Sequence, residues 1–295
     1  MRHAIVGAGG VGGLMAAALV HAGEQVTVIL RPETYAKHPD HIHLDSAFGN
    51  FDAPVERTTE LNDHFDVVWL TVKATQLDAA IKTLSAGKDK FDIIVPLLNG
   101  VDHIERLRAL FGRERVVPAT ISVEAERVAP GRIAHRSPFV RLAVASTGRS
   151  KLEGVVKKLS DFGFACEFIE DTKTLLWRKL VFLAPLALTS SASGKATDGM
   201  KQDPSWQARL VAAVRETGAV ALAEGAKVDV EGTVKTVESL PPGMKSSMQK
   251  DVEAGRKPEL DAIGGPILRG GEEHGIPTPV VKELIGMIRE KVGAN

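Results

Sequence analysis

Residues 3–21 read HAIVGAGGVGGLMAAALVH, and the fold is decided here. His3–Val6 is an apolar run of strand length, and Leu14–Leu19 is an alanine-rich run of helical composition. Between them, Gly7-Ala8-Gly9-Gly10-Val11-Gly12 fits the spacing G-x-G-x-x-G. Alone that match is weak: with 28 glycines in 295 residues, roughly 0.25 matches arise by chance in one chain. Directly after a strand and directly before a helix it has a physical meaning. Gly7 allows the tight turn, Gly9 the close approach of a pyrophosphate, and Gly12 close packing of helix on strand. The free N–H groups of the helix start then face an anion. The alternative is a glycine turn in another kind of α/β protein.

The pattern continues outward from this turn. Gln25–Leu30 reads as a strand, and so do Asp66–Val72, Asp92–Leu97, Val116–Val123, Arg132–His135 and Val140–Ala145. Val11–His21, Thr75–Ser85 and His103–Phe111 carry helical spacing, and Lys151–Phe162 with Cys166–Ile169 closes the unit. Strands alternating with helices require crossover connections, and so a mostly parallel sheet. After Asp171 the strand signals fade. Thr172–Ser190, Pro204–Glu224, Ser246–Ala254, Ile263–His274 and Pro277–Val292 are all helical in spacing. The expectation is a Rossmann-type α/β domain over residues 1–170 and an all-helical domain over 171–295.

Composition narrows the function. Lys+Arg and Asp+Glu both total 37, so there is no basic surplus of the kind a general nucleic-acid binder carries. Cys166 is the only cysteine, which excludes an internal disulfide and suits a reducing compartment. The N-terminus shows no leader pattern, and the most apolar stretch, Leu175–Leu188, contains Arg178 and Lys179. The reading is a cytoplasmic protein without a membrane span, a monomer or a homodimer.

Four positions bear on chemistry. Arg31 follows the second strand, where an NAD site usually places an acid; an arginine there matches a 2′-phosphate, so NADP(H) is favoured over NAD, with a plain surface arginine as the alternative. Lys73 and Asn99-Gly100 end two strands on the side where open α/β sheets bind ligands. Lys179 lies within the apolar Leu175–Phe182 run and must either extend to water or face a polar cleft. In a carbonyl reductase such an ammonium has a use, because hydride addition leaves negative charge on oxygen.

Taken together, these blocks resemble the ketopantoate reductase family over essentially the whole chain. They are the glycine turn from Gly7, Arg31, Val72-Lys73, Asn99-Gly100, Trp177-Arg178-Lys179-Leu180, Ser246-Ser247-Met248-Gln249-Lys250-Asp251 and Glu259-Leu260-Asp261. The resemblance implies NADPH-dependent reduction of ketopantoate to pantoate, a step toward coenzyme A, in a cleft between domains. It further implies Lys179 as general acid, Asn99 as the residue orienting substrate and nicotinamide, Ser247 and Glu259 as substrate ligands with Glu259 also catalytic, and Arg31 and Lys73 as cofactor contacts. The chain departs from the family at Leu183 and Ala187, where asparagines are usual, and at Leu98, where glutamine is common. An apolar side chain cannot replace an amide's hydrogen bonds. Two further readings follow: a reductase of a less polar 2-oxo acid, or a catalytically silent NADP(H)-binding regulator.

Other signals point to solvated surface. His38, His41 and His43 lie in a loop-like stretch without a second cluster, and Glu272-Glu273-His274 lacks zinc-helix spacing, so no metal is expected. The run Thr189, Ser190, Ser191 and Ser193 has no nucleophile-elbow context.

Overall fold

The computed structural model describes residues Met1 to Gly293. Its chain divides into two compact units, one of residues 1–98 with 103–172, the other of residues 99–102 with the chain from Lys173 onward.

The first unit begins β1 (Arg2–Val6), α1 (Gly10–His21), β2 (Gln25–Ile29) and the short α2 (Pro32–Tyr35). It continues through β3 (His41–Ser46), β4 (Gly49–Pro54), β5 (Glu56–Thr58), β6 (Phe65–Leu70), α3 (Leu77–Ala86), β7 (Phe91–Pro96) and α4 (His103–Phe111). It closes with β8 (Ala119–Ser122), β9 (Ala125–Ala129), β10 (Arg132–His135), β11 (Val140–Ala145), α5 (Arg149–Phe162) and β12 (Phe164–Ile169). A five-stranded sheet of order β5-β2-β1-β6-β7 is parallel throughout, with His3 opposite both Val26 and Val67. Its central strands are buried on both faces, which is why they read as continuous apolar runs. Along β6, Val67 and Trp69 face one apolar cluster with α1, while Val68 and Leu70 face another with α3 and α4. This is the Rossmann-type sheet that the alternating pattern implies.

The rest of the unit is less parallel than the sequence suggests. β4-β3-β10-β9 form a second sheet and β12-β11-β8 a third, both with antiparallel pairs. The stretch around His41 and His43, read above as a loop, is strand β3. Ile42 and Leu44 alternate inward and are buried, while His41 and His43 turn outward to Asp40 and Asp52. The polar alternate positions hide a period of two that only the sheet pairing makes visible. His38 is buried, its Nδ1 bonded to the carbonyl of Pro39.

The second sheet explains why α1 is buried on nearly every side, with Leu14 through Leu19 fully enclosed. Small residues let it sit between layers. A Cβ on Gly10 would lie 2.1 Å from the carbonyl oxygen of Ala125, and one on Gly13 would lie 2.4 Å from the Ile133 side chain. Gly10 therefore serves packing as well as the turn.

The second unit is helical: α6 (Thr172–Ser193), α7 (Thr197–Lys201), α8 (Pro204–Ala223), α9 (Val230–Glu238), α10 (Ser247–Glu253), α11 (Leu260–His274) and α12 (Pro279–Gly293). Asp203, Asp229 and Ser246 cap α8, α9 and α10 by accepting from backbone N–H groups two or three residues ahead. Trp177, Leu180, Val181, Ala184 and Leu188 of α6 meet Val214 of α8, Ile263 of α11 and Leu284 of α12 in its core. At 22 residues α6 is longer than the apolar stretch suggests, and by length and composition it is apolar enough to cross a membrane. Most of it is buried inside the protein: 78% of its most apolar 18-residue window is covered.

Candidate active site

The glycine turn lies in the first unit and joins β1 to α1. Gly7 has φ +107°, a conformation that L side chains rarely adopt. Its carbonyl accepts from the Gly9 N–H at 2.9 Å and from Thr71 Oγ1 at 2.8 Å. Thr71, at the end of β6, was not singled out in the sequence; a strand-end hydroxyl facing a glycine turn is the signal that marks it. A Cβ on Gly12 would lie 2.0 Å from the Gly7 oxygen and 2.6 Å from Thr71 Oγ1, so the first turn of α1 sits directly on the loop. Gly9 differs. Nothing lies within 4 Å of the Cβ it lacks. No side chain caps α1, and no acidic residue stands in its first turn. Open space before an uncapped, acid-free helix start fits a pyrophosphate.

Arg31 follows β2 and precedes α2, where an acid would take ribose hydroxyls. Its exposed guanidinium pairs with Glu33 at 3.2 Å, so Glu33 is nearer than its place beyond Pro32 suggests. Lys73 is exposed where the chain leaves β6 for a single 3-10 turn, Ala74–Gln76.

The second group lies wholly in the helical unit. Asn99 follows β7 closely in sequence yet packs with the helices. Gly100 makes this possible. Its φ is +90°, and a Cβ there would lie 2.3 Å from the carbonyl oxygen of Ala262 on α11. Asp102 fastens the same segment to Arg269 of α11, and Arg269 also binds Asp261 at 2.9 Å. Asn99 is thereby brought to the start of α11, where Glu259 is buried at the N-cap position. Asn99 Nδ2 donates to Glu259 Oε2 at 3.1 Å, and Lys179 Nζ donates to Asn99 Oδ1 at 2.9 Å. With both ends engaged, the Asn99 amide has one orientation. Lys179 is half-buried, and loss of water pushes its pKa down to about 8 against the opposing pull of the Glu259 carboxylate.

Three sequence-expected residues therefore meet, in the order Lys179–Asn99–Glu259. Ser247 does not join them through a hydrogen bond: it is the exposed first residue of α10. Its neighbour Ser246 caps that helix and bonds Ser190 of α6 at 2.8 Å, so the buried hydroxyl of the pair is structural. Ala187 is buried in the helical core, and Leu183 is half-exposed.

Comparison with known proteins gives the family and the fold. Residues 3–146 match the family described as ketopantoate reductase PanE/ApbA, and residues 171–292 match its C-terminal domain. The 2-dehydropantoate 2-reductase of Caulobacter vibrioides is 29% identical over 292 residues, covering 97% of each chain. A PanE/ApbA family ketopantoate reductase from Ralstonia eutropha JMP134 superposes with TM-score 0.87 at 25% identity, covering 100% of this chain and 99% of that one. A D-mandelate dehydrogenase solved with NADH and anilino(oxo)acetate shares the fold, with TM-score 0.89 at 21% identity and coverage of 100% and 99%. The chain belongs to the ketopantoate reductase family and is an oxidoreductase of that type.

Proposed function

We propose that this protein reduces the ketone of a 2-oxo acid to the 2-hydroxy acid with NADPH, Lys179 serving as general acid. The observation that carries the reading is the Lys179–Asn99–Glu259 chain, which holds a partly desolvated ammonium in one place. The glycine turn from Gly7 to Gly12 would hold a reduced nicotinamide cofactor, which when bound would supply hydride to the ketone carbon. As that bond forms, the carbonyl π pair moves onto oxygen. The Lys179 ammonium stabilises the developing charge and then gives its proton, leaving a neutral amine that regains a proton from water. Asn99 Oδ1 keeps the ammonium aimed, and Glu259 keeps Asn99 from turning its amide. Glu259 and the exposed Ser247 hydroxyl are assigned to the polar groups of the substrate. Ketopantoate and a less polar 2-oxo acid are the two candidates. The single Cys166, its thiol pKa raised by burial, accords with a reducing cytoplasm.

The working form of Lys179 is the protonated one. Because its pKa lies at about 8, kcat/KM for reduction is expected to be flat below that pH and to fall as pH rises through it. A profile of 2-oxo acid reduction from pH 6 to 10 checks this, and a rate that climbs with pH would exclude the lysine as acid.

Arg31 carries the preference for NADPH. Removing an exposed charge-assisted contact to a 2′-phosphate costs about tenfold. Arg31→Ala is therefore expected to raise KM for NADPH by that factor and to leave KM for NADH within about twofold. Steady-state kinetics with both cofactors decide it. An unchanged ratio means that Arg31 serves only its pair with Glu33.

A further inference from the structure

The turn that carries Arg31 has little of its own to hold it in place. α2 is a single turn of four residues with no buried side chain, and Arg31 is its N-cap. The Arg31 carbonyl accepts from the backbone N–H groups of Thr34 and Tyr35 at 2.9 and 3.1 Å, and from Thr34 Oγ1 at 2.9 Å. Arg31 and α2 therefore move as one piece. A helix this short does not hold by itself in water, so contacts from outside it fix the direction in which Arg31 leaves β2.

Arg57 supplies such a contact from the neighbouring strand. It stands on β5 opposite Val28 of β2, and the next residue, Thr58, accepts from the Leu30 N–H at 2.8 Å, directly before Arg31. Arg57 Nη1 donates to the Tyr35 carbonyl at 3.3 Å and to the His38 carbonyl. Its guanidinium also lies over the Tyr35 ring, 5.1 Å from the centroid. A helix end leaves such carbonyls without an intrahelical partner, and a cation is a favoured donor to them. Two points of the chain are thus tied to one guanidinium, and the buried His38 side chain seats the farther one. Among the described residues, the hydrogen bonds of Arg57 go only to this segment and none to a carboxylate. Its task is to hold backbone.

We propose that Arg57 is a positioning residue for the choice of cofactor, an inference that rests on the NADPH reading above. By fastening the end of α2 to β5 it fixes the turn from which Arg31 meets a 2′-phosphate. A turn already anchored does not have to be ordered when the phosphate binds, and the saving appears as affinity. NADH gains nothing from it, because it brings no group for Arg31 to grip. Equilibrium binding of NADPH and of NADH, read by nicotinamide fluorescence without substrate, tests this in the wild type, Arg31→Ala, Arg57→Ala and the double variant. Arg57→Ala is expected to raise Kd for NADPH by about three- to tenfold and to leave Kd for NADH within about twofold. In the Arg31→Ala background the same change is expected to add less than about twofold, because the group that Arg57 positions is gone. The readout is a ratio of two affinities of the same folded protein, so a change in stability leaves it untouched. Additive losses in the double variant would mean that Arg57 meets the phosphate itself, and they overturn the proposal. So does an Arg57→Ala loss that is absent or equal for both cofactors; in each case Arg31→Ala alone still weakens NADPH binding and the NADPH reading stands. If Arg31→Ala leaves NADPH binding unchanged, that reading fails and the role of Arg57 fails with it.

Discussion

Lys179→Ala is expected to lower kcat for 2-oxo acid reduction by about two to four orders of magnitude, the range a positioned general acid contributes. The same change is expected to leave Kd for NADPH within about threefold, because the lysine lies outside the glycine turn. The physical ground is that Nζ is held by one acceptor, Asn99 Oδ1 at 2.9 Å, and that the acceptor is held in turn by Glu259. Removing the lysine leaves one hydrogen bond of the half-buried Asn99 unmade, a cost of about 1 kcal/mol, and a melting curve run beside the kinetics separates loss of fold from loss of chemistry. Single-turnover kinetics with titrated NADPH separate the two quantities. A loss smaller than tenfold would remove Lys179 from the chemistry. A wild-type protein with no turnover on any 2-oxo acid, yet tight NADPH binding, would point to a silent regulator.

The second large effect concerns two glycines three residues apart that do different work. Gly12→Ala places a methyl 2.0 Å from a backbone oxygen, and α1 has no freedom to retreat because it is enclosed by sheets. Overpacking of this kind costs about 1–3 kcal/mol or more, so the variant is expected to melt lower and to bind NADPH at least about a hundredfold more weakly. Gly9→Ala meets nothing within 4 Å, and the backbone there, φ −85° and ψ −165°, is open to alanine. Its melting temperature is expected to stay at the wild-type value. Its NADPH affinity should fall at least about tenfold, since the methyl occupies the space a pyrophosphate needs. Calorimetry and thermal melts on the two variants give the contrast. Full affinity in Gly9→Ala would mean that the phosphates lie elsewhere.

The parallel strands were legible because each is apolar on both faces and short, a signal carried by neighbouring residues alone. The hairpin of β3 and β4 was not. His41, His43 and Asp45 alternate with Ile42 and Leu44, and the polar residues mask the strand until its partners are known. Likewise, Asn99 was legible as a residue type at a strand end, but its helical partners were not. Its bonds reach 80 and 160 residues along the chain. Gly100 shows why: it reads as half of a turn, whereas its place is set by the Ala262 carbonyl on a distant helix.

The amino-acid sequence by itself determined that a glycine turn opens a parallel α/β sheet, that helices follow, and which polar residue types stand at strand ends and within the apolar helix. Those are consequences of spacing within some twenty residues, where backbone geometry dictates periodicity. Only the tertiary structure decided that Lys179, Asn99 and Glu259 form one hydrogen-bonded chain, and that Ser246 rather than Ser247 is the buried hydroxyl. Packing between elements distant in the chain settles such matters, and no local pattern encodes which surfaces will meet.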